Sequence, residues 1–504
     1  MIIDERQMTI ADLVAVARNG ETVEISERAA FKINESRQWV DNLDEDTVVY
    51  GINTGIGDLC KSRISPEQAA TLSRNIIMSH ACGVGEPLAR DQVRSIQFAA
   101  VLNFCQGHSG VSLETVQVLV EMLNKQVTPW VPSQGSVGYL THMAHIALVT
   151  IGLGQAYYQG RLMPGDEAMK LASIPLLNLK AKEGLSLVNG TVCMTGISAL
   201  VLYDAIQLAK WADIAGTMSF EALKGTYYAF DKRVHQARPY KGQMKVANNL
   251  LRLMEGSEIA ETYKDYRVQD ALSIRSMPQI HGACRDKLDH ALEILSIEIN
   301  SATDNPLIFA DHDGDGGTAI SACNAHGEPL ALTMDMLAIA VSELASVSER
   351  RIDRLVNPHV SELPAFLVAR SGVNSGFMIP QYVAASLVAE NKVLSHPISV
   401  DSIPTSAFQE DHVSMGTPAA LKAAQVVRNS QKVLAIELLA AAQALEFHKP
   451  LQFGKGTRLM HEWIRSVIPA WVEDRVFYQD LHQMISIVED PSWVNRLEER
   501  VGEL

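Results

Sequence analysis

CMTGISALVLYDAIQLAKWADIAGTMSFEALKGTYYAF, residues 193–230, carries apolar side chains at i, i+3, i+4 and i+7 with few helix breakers. That spacing predicts one long helix with a broad apolar stripe. The stretches 329–356 and 418–447 repeat the pattern. Long helices that are Ala-rich on several faces pack on one another as a bundle. Ala-rich faces also let helices of neighbouring subunits approach closely, which points to a homo-oligomer. The expected fold class is therefore all-α: an elongated helical bundle over 191–504, preceded by a loop-rich helical region over 1–190.

Within that first region, ISPEQAATLSRNIIMSHACG predicts a helix that starts near Ser65-Pro66 and ends at Gly83, with Pro at the first helical position. VSLETVQVLVEMLNKQ, from Val111, predicts a second. The one strong strand-and-turn signal is PLIFADHDGDGGTAIS, from Pro306 to Ser321, read as a small β-hairpin. Asp311, Asp313, Asp315 and Gly316 resemble the start of a calcium loop. Position twelve is Ala322 instead of Glu, so the stretch reads as a plain turn.

The chain has 504 residues, 47% hydrophobic and 20% charged, with a formal net charge of -15. A chain this acidic is a poor partner for nucleic acid or an anionic membrane surface. The six cysteines show no CxxC spacing and read as reduced thiols. The N-terminus MIIDERQMTI has no apolar h-region, and no uninterrupted apolar run approaches the roughly 18 residues that span a bilayer. A cytoplasmic protein is expected.

Eight segments carry the functional signal: YGINTGIGDLC from Tyr50, MSHACGVGEPL from Met78, GSVG from Gly135, GLSLVNGT from Gly184, VQDALSIR from Val268, ATDNPL from Ala302, NAHGEPLAL from Asn324 and SIPTSAFQEDHVSMG from Ser402. In this order they resemble the histidine and aromatic ammonia-lyase family. The resemblance implies a helical homotetramer acting on a small molecule, an amino acid from which it removes the α-amine and a β-proton. It also implies methylideneimidazolone, an electrophile built from an Ala-Ser-Gly triad that follows GSVG in the family and precedes Asp-Leu. Here GSVG runs straight into YLTHMAHIAL.

Two readings of that gap compete: the triad is missing only from the sequence as written, or the protein never has it. Tyr139 stands where the family has Asp, Leu272 where it has an essential Tyr, Ala325 where it has Phe, and Phe408 where it has Asn. A coherent set of changes favours true absence, so no cofactor is expected.

By the same resemblance, Tyr50 on its Gly-rich loop is the β-proton base, a role a phenol can take when its pKa is lowered. Arg275 holds the substrate carboxylate through its bidentate fork, with Asn189 beside it. His80 and Glu410 match the positions that recognise imidazole in histidine-specific members. His142, His145 and His412 read as structural, and no metal site is expected.

A quaternary ammonium cannot bond to the electrophile and leaves without it. The expected substrate is accordingly a histidine betaine, as in ergothionases, which release trimethylamine. Ala325 would make room for the methyl groups. Phe408 and Tyr139 would face the cation, at about 0.5 to 2 kcal/mol each. Lys392 is a candidate partner for a ring sulfur, and whether the ring carries sulfur stays open. The alternatives are a histidine ammonia-lyase that forms urocanate and ammonia and whose electrophile residues are missing only from the sequence as written, and a relative without catalysis.

Overall fold

The computed structural model describes residues 1–4, 6–44, 46–311 and 316–504. The three long helices are present as Val192–Ala222, Glu328–Val356 and Gly416–Leu445, of 31, 29 and 30 residues. Two more, Met277–Ile299 and Met378–Leu394, complete the set of long elements. The fold is mostly helical, as its patterning predicts.

The first long helix stops at Ala222, short of Phe230. Lys224 turns to φ +55°, and Gly225 donates back to the Phe220 carbonyl at 3.0 Å, closing the helix before a short turn at Tyr227–Phe230. The predicted helix from Ser65 runs over Pro66–His80, with Gln68 accepting from the Ser65 amide at 3.3 Å as a capping box requires. It ends three residues before Gly83, because the Gly83 amide is taken by His145 Nε2 at 3.1 Å. The helix from Val111 begins at Leu113, capped by Ser112.

The hairpin pairs Leu307–Ala310 with Gly317–Ile320, antiparallel, in the register Leu307–Ile320 to Ala310–Gly317. The calcium-like reading falls mainly on His312–Asp315, outside the described residues. Small sheets that periodicity did not announce also form, the largest joining Thr128–Pro129, Gln155–Tyr158 and Arg161–Pro164. Gln159 and Gly160, both at positive φ, make its two-residue hairpin turn.

The described residues fall into two units. The first comprises Met1–Tyr203, Ala291–Asp335 and Pro397–Leu421; the second comprises Asp204–His290, Met336–His396 and Lys422–Leu504. In the first, Val40, Val49, Ile52 and Ile308 form an apolar floor beneath the Tyr50 loop. In the second, Ala345, Ile352, Ala384, Val433 and Ile436 pack together, and a fully buried Arg351–Glu437 pair lies within the same unit.

Two stretches, Glu183–Ala222 and Glu328–Val356, hold windows of mean hydropathy 1.7, long and apolar enough to cross a membrane, but those windows are 100% and 67% buried. They are core helices whose apolar runs polar residues interrupt.

Candidate active site

The Tyr50 loop is shaped by its own polar side chains. Asn53 accepts from the Val49 amide at 2.8 Å and Thr54 from the Gly51 amide at 3.0 Å. Gly51 sits at φ +69°, with its α-carbon against Leu185, where a Cβ would collide. The chain then doubles back so that the Gly57 amide donates to the Tyr50 hydroxyl at 3.0 Å.

Behind this loop lies a buried polar cluster. Asn189 donates through Nδ2 to Asp304 Oδ1 and to the Asn305 carbonyl, each at 3.1 Å. The other oxygen of Asp304 accepts from Lys182 at 2.9 Å and from Ser186 at 2.8 Å. Lys182 and Asp304 are both almost wholly shut from water. Asp304 thus fixes the amide of Asn189 while its own charge is matched by Lys182. Both lie inside or beside segments that carried the resemblance, yet neither stood out, because nothing local shows that a Lys and an Asp 122 residues apart will meet.

The GSVG loop is closed tightly. Ser136 donates to the Tyr139 carbonyl and accepts from the Gly138 amide, both at 3.1 Å. The Met415 amide donates to the Val137 carbonyl at 2.8 Å and the Thr417 hydroxyl to the Gly138 carbonyl at 3.2 Å, so the segment leading into the helix Gly416–Leu445 clamps the loop. The implied electrophile does not fit these residues. Gly138 is bonded directly to Tyr139, and the one serine of the loop, Ser136, stands between Gly135 and Val137 with its hydroxyl already engaged.

Tyr139 enters the same surroundings as Tyr50. Burial pushes both phenols up, and the charge of Glu410 pushes both further, Tyr139 the more strongly. Only the Gly57 amide pulls Tyr50 back. Tyr50, Tyr139 and Glu410 are therefore brought together, and both phenols are held in their protonated form. A base would need the opposite shift, which these neighbours do not supply.

Glu410 is positioned by Thr405, whose hydroxyl donates to Oε2 at 2.8 Å. Between them Ser406, Ala407 and Phe408 all adopt positive φ. The Phe408 ring is 79% exposed, so in this chain it is not the aromatic wall expected of it. His80 ends its helix half-buried, with Nδ1 2.7 Å from the Ile76 carbonyl. A carbonyl only accepts, so Nδ1 carries the proton and Nε2 of the neutral ring is an acceptor.

Ala325 is buried, and the exposed Cys323 feels the charge of Glu410. Arg275 and Lys392 lie in the second unit. Arg275 closes the short helix Leu272–Arg275 with a buried Nε that has no partner among the described residues, and Lys392 is exposed. His145 accepts from Gly83, and His142 lies 3.2 Å from the Ser133 carbonyl.

The helical scaffold presents a Gly-rich tyrosine loop beside a buried carboxylate and an anchored asparagine, and the comparisons identify the class as an amino acid lyase. The sequence matches the family described as aromatic amino acid lyase over residues 8–466, and the chain belongs to that family. It is 49% identical over 505 residues, 99% of either chain, to a histidine ammonia-lyase of Alkaliphilus oremlandii. The crystal structure of histidine ammonia-lyase from Trypanosoma cruzi superposes with a TM-score of 0.92 at 40% identity, covering 100% of this chain and 96% of that one. Ergothionase from Treponema denticola, solved with desmethyl-ergothioneine sulfonic acid, superposes with a TM-score of 0.91 at 28% identity, covering 98% and 99%.

These findings correct the expected reaction. Full-length relatives at 49% identity are named histidine ammonia-lyase, whereas the ergothioneine-degrading ergothionase is the more distant likeness at 28%. The chain is a carbon–nitrogen lyase, and the betaine reading gives way to the histidine one.

Proposed function

We propose that this protein is a histidine ammonia-lyase in substrate and reaction, converting L-histidine to urocanate and ammonia. The observation that carries the reading is its 49% identity over the full chain to a histidine ammonia-lyase. The pocket residues support it. Glu410 offers a carboxylate acceptor and His80 an Nε2 acceptor, which suits an imidazolium ring presenting two N–H donors. A protonated ring withdraws electrons from the β-carbon and makes its proton easier to remove. By the resemblance, Asn189, held by Asp304, is assigned to the carboxylate and Tyr50 to the β-proton, and an imidazolium bound at Glu410 would relieve part of the upward shift that holds the Tyr50 phenol protonated.

The reading includes elimination without an electrophile, because the GSVG loop lacks the residues to make one. The balance closes: the β-proton passes to the base, the C–N electron pair leaves with the amine, and the ammonium departs as neutral ammonia. A homotetramer in the cytoplasm completes the proposal.

The test uses protein purified from its native source and L-histidine, following ammonia and the ultraviolet band of the conjugated acid, with intact mass in parallel. Both products, from a chain whose mass equals that of the 504 residues, are expected. Inert histidine overturns the substrate. A mass greater by three residues less two waters overturns the cofactor-free part alone.

A further inference from the structure

We propose that His326, Glu328 and His412 form a binding site for a divalent first-row transition metal. No spacing in the sequence announces it, since His412 comes from a different segment than the other two. The fold brings one ligand atom from each within 4.8 Å of the others.

Three features support a site over a chance cluster. First, His326 Nε2 and His412 Nδ1 stand 3.2 Å apart with ring centroids at 5.3 Å. Two imidazole nitrogens bound tetrahedrally at 2.0–2.1 Å lie about 3.3 Å apart, so the pair already has the span of a shared ion. Second, Glu328 Oε2 is buried with no hydrogen-bond partner. A carboxylate oxygen left in that state costs free energy unless something positive reaches it. Third, the backbones that carry the ligands are fixed. Gly327 packs against Met194 with no room for a side chain, the Ala331 amide donates to the Gly327 carbonyl at 3.0 Å, and the Val413 amide donates to Ser402 at 3.0 Å.

Two histidines and one glutamate match the donor set that Zn2+ takes when one coordination position stays open. His412 is exposed, so an ion can reach the cluster from solvent. The site borders the pocket through sequence neighbours, Ala325 before His326 and Glu410 two residues before His412. A cation held there would sit close to the pocket without replacing any residue assigned to the elimination.

The experiment is calorimetric titration of Zn2+ into the full-length, chelator-stripped protein, repeated with His412→Ala and Glu328→Gln. A parallel titration with Co2+ is read by visible absorption. Expected are one ion per chain, a tetrahedral cobalt spectrum, and weakening of at least about 10- to 100-fold in each variant, the range that even a neighbour orienting a ligand commands. His412→Ala changes an exposed side chain and keeps the test open if Glu328→Gln folds poorly. No saturable binding, or unchanged affinity in His412→Ala, overturns the proposal and leaves the two rings as a hydrogen-bonded pair.

Discussion

Tyr50 and Tyr139 each carry a half-buried phenol, pushed further towards protonation by Glu410. The consequence for stability has a definite sign. A phenol whose folded pKa lies above its unfolded value of 10.0 contributes stability fully below that value and loses it as pH rises through the folded one. The denaturant midpoint should therefore fall above about pH 10, and Tyr139→Phe should flatten that fall while leaving the midpoint near neutrality little changed. Equal slopes in both proteins would show that Tyr139 is not buried against Glu410. For activity, Tyr50→Phe should cut ammonia release by about 10²- to 10⁴-fold, the usual worth of a positioned proton-transfer group, with L-histidine binding retained by calorimetry. Substantial turnover in Tyr50→Phe would remove Tyr50 from the base role. The residues that misled the substrate reading are also explained at this scale. Of the four changed positions taken together, Leu272 and Phe408 are 63% and 79% exposed in this chain. They do not belong to one repacked interior, so the set carried less weight than it was given.

The long helices were legible because periodicity reports burial over many turns, and Val192–Ala222 is apolar on almost every face. Their ends were less legible, since ends are decided by partners from elsewhere, as His145 ends the helix Pro66–His80. The same limit hid Met277–Ile299, whose mixed polar surface gives no continuous stripe. Where two helices cross, glycine marks the contact. A Cβ on Gly196 would lie 2.6 Å from the Ile96 amide and 2.7 Å from its Cα, backbone atoms of the buried helix Arg90–Cys105. Gly196→Ala should thus destabilise despite its better helix propensity, by about 1–3 kcal/mol for an overpacked site. Chemical denaturation measures it. A neutral or stabilising outcome would mean that the two helices can separate at little cost.

At the scale of the molecule, the two units are each assembled from three separate stretches, and the chain passes between them five times, first at Tyr203–Asp204 inside the helix Val192–Ala222. Sequence composition has nothing to show at such a boundary. The second unit instead relies on buried polar groups that only the fold brings together. Asp213 accepts from His281 at 2.8 Å, Arg285 at 2.7 Å and Asn249 at 2.9 Å. Burial alone would push its carboxyl up, but Arg285 and the other donors hold it below its ordinary value. Glu221 in the same unit has no cation beside it among the described residues. Burial pushes its carboxyl up, and the hydroxyls of Ser257 and Thr457 with the Gly454 amide pull back only in part. The two acids therefore act in opposite directions. A carboxyl with a raised folded pKa gives stability below its unfolded value of 4.5 and loses it as pH rises through the folded value. Asp213 gives stability above 3.8 and loses it as pH falls. Glu221→Gln removes the first term and keeps an amide of the same shape. The variant should be more stable than the parent at neutral pH, and the two should converge towards about pH 4, where Glu221 is protonated in folded and unfolded chains alike. Denaturant midpoints at a series of pH values decide it. A Glu221→Gln protein that is less stable at pH 7 would show that the ionised carboxylate, and not its neutral form, is what the fold accommodates.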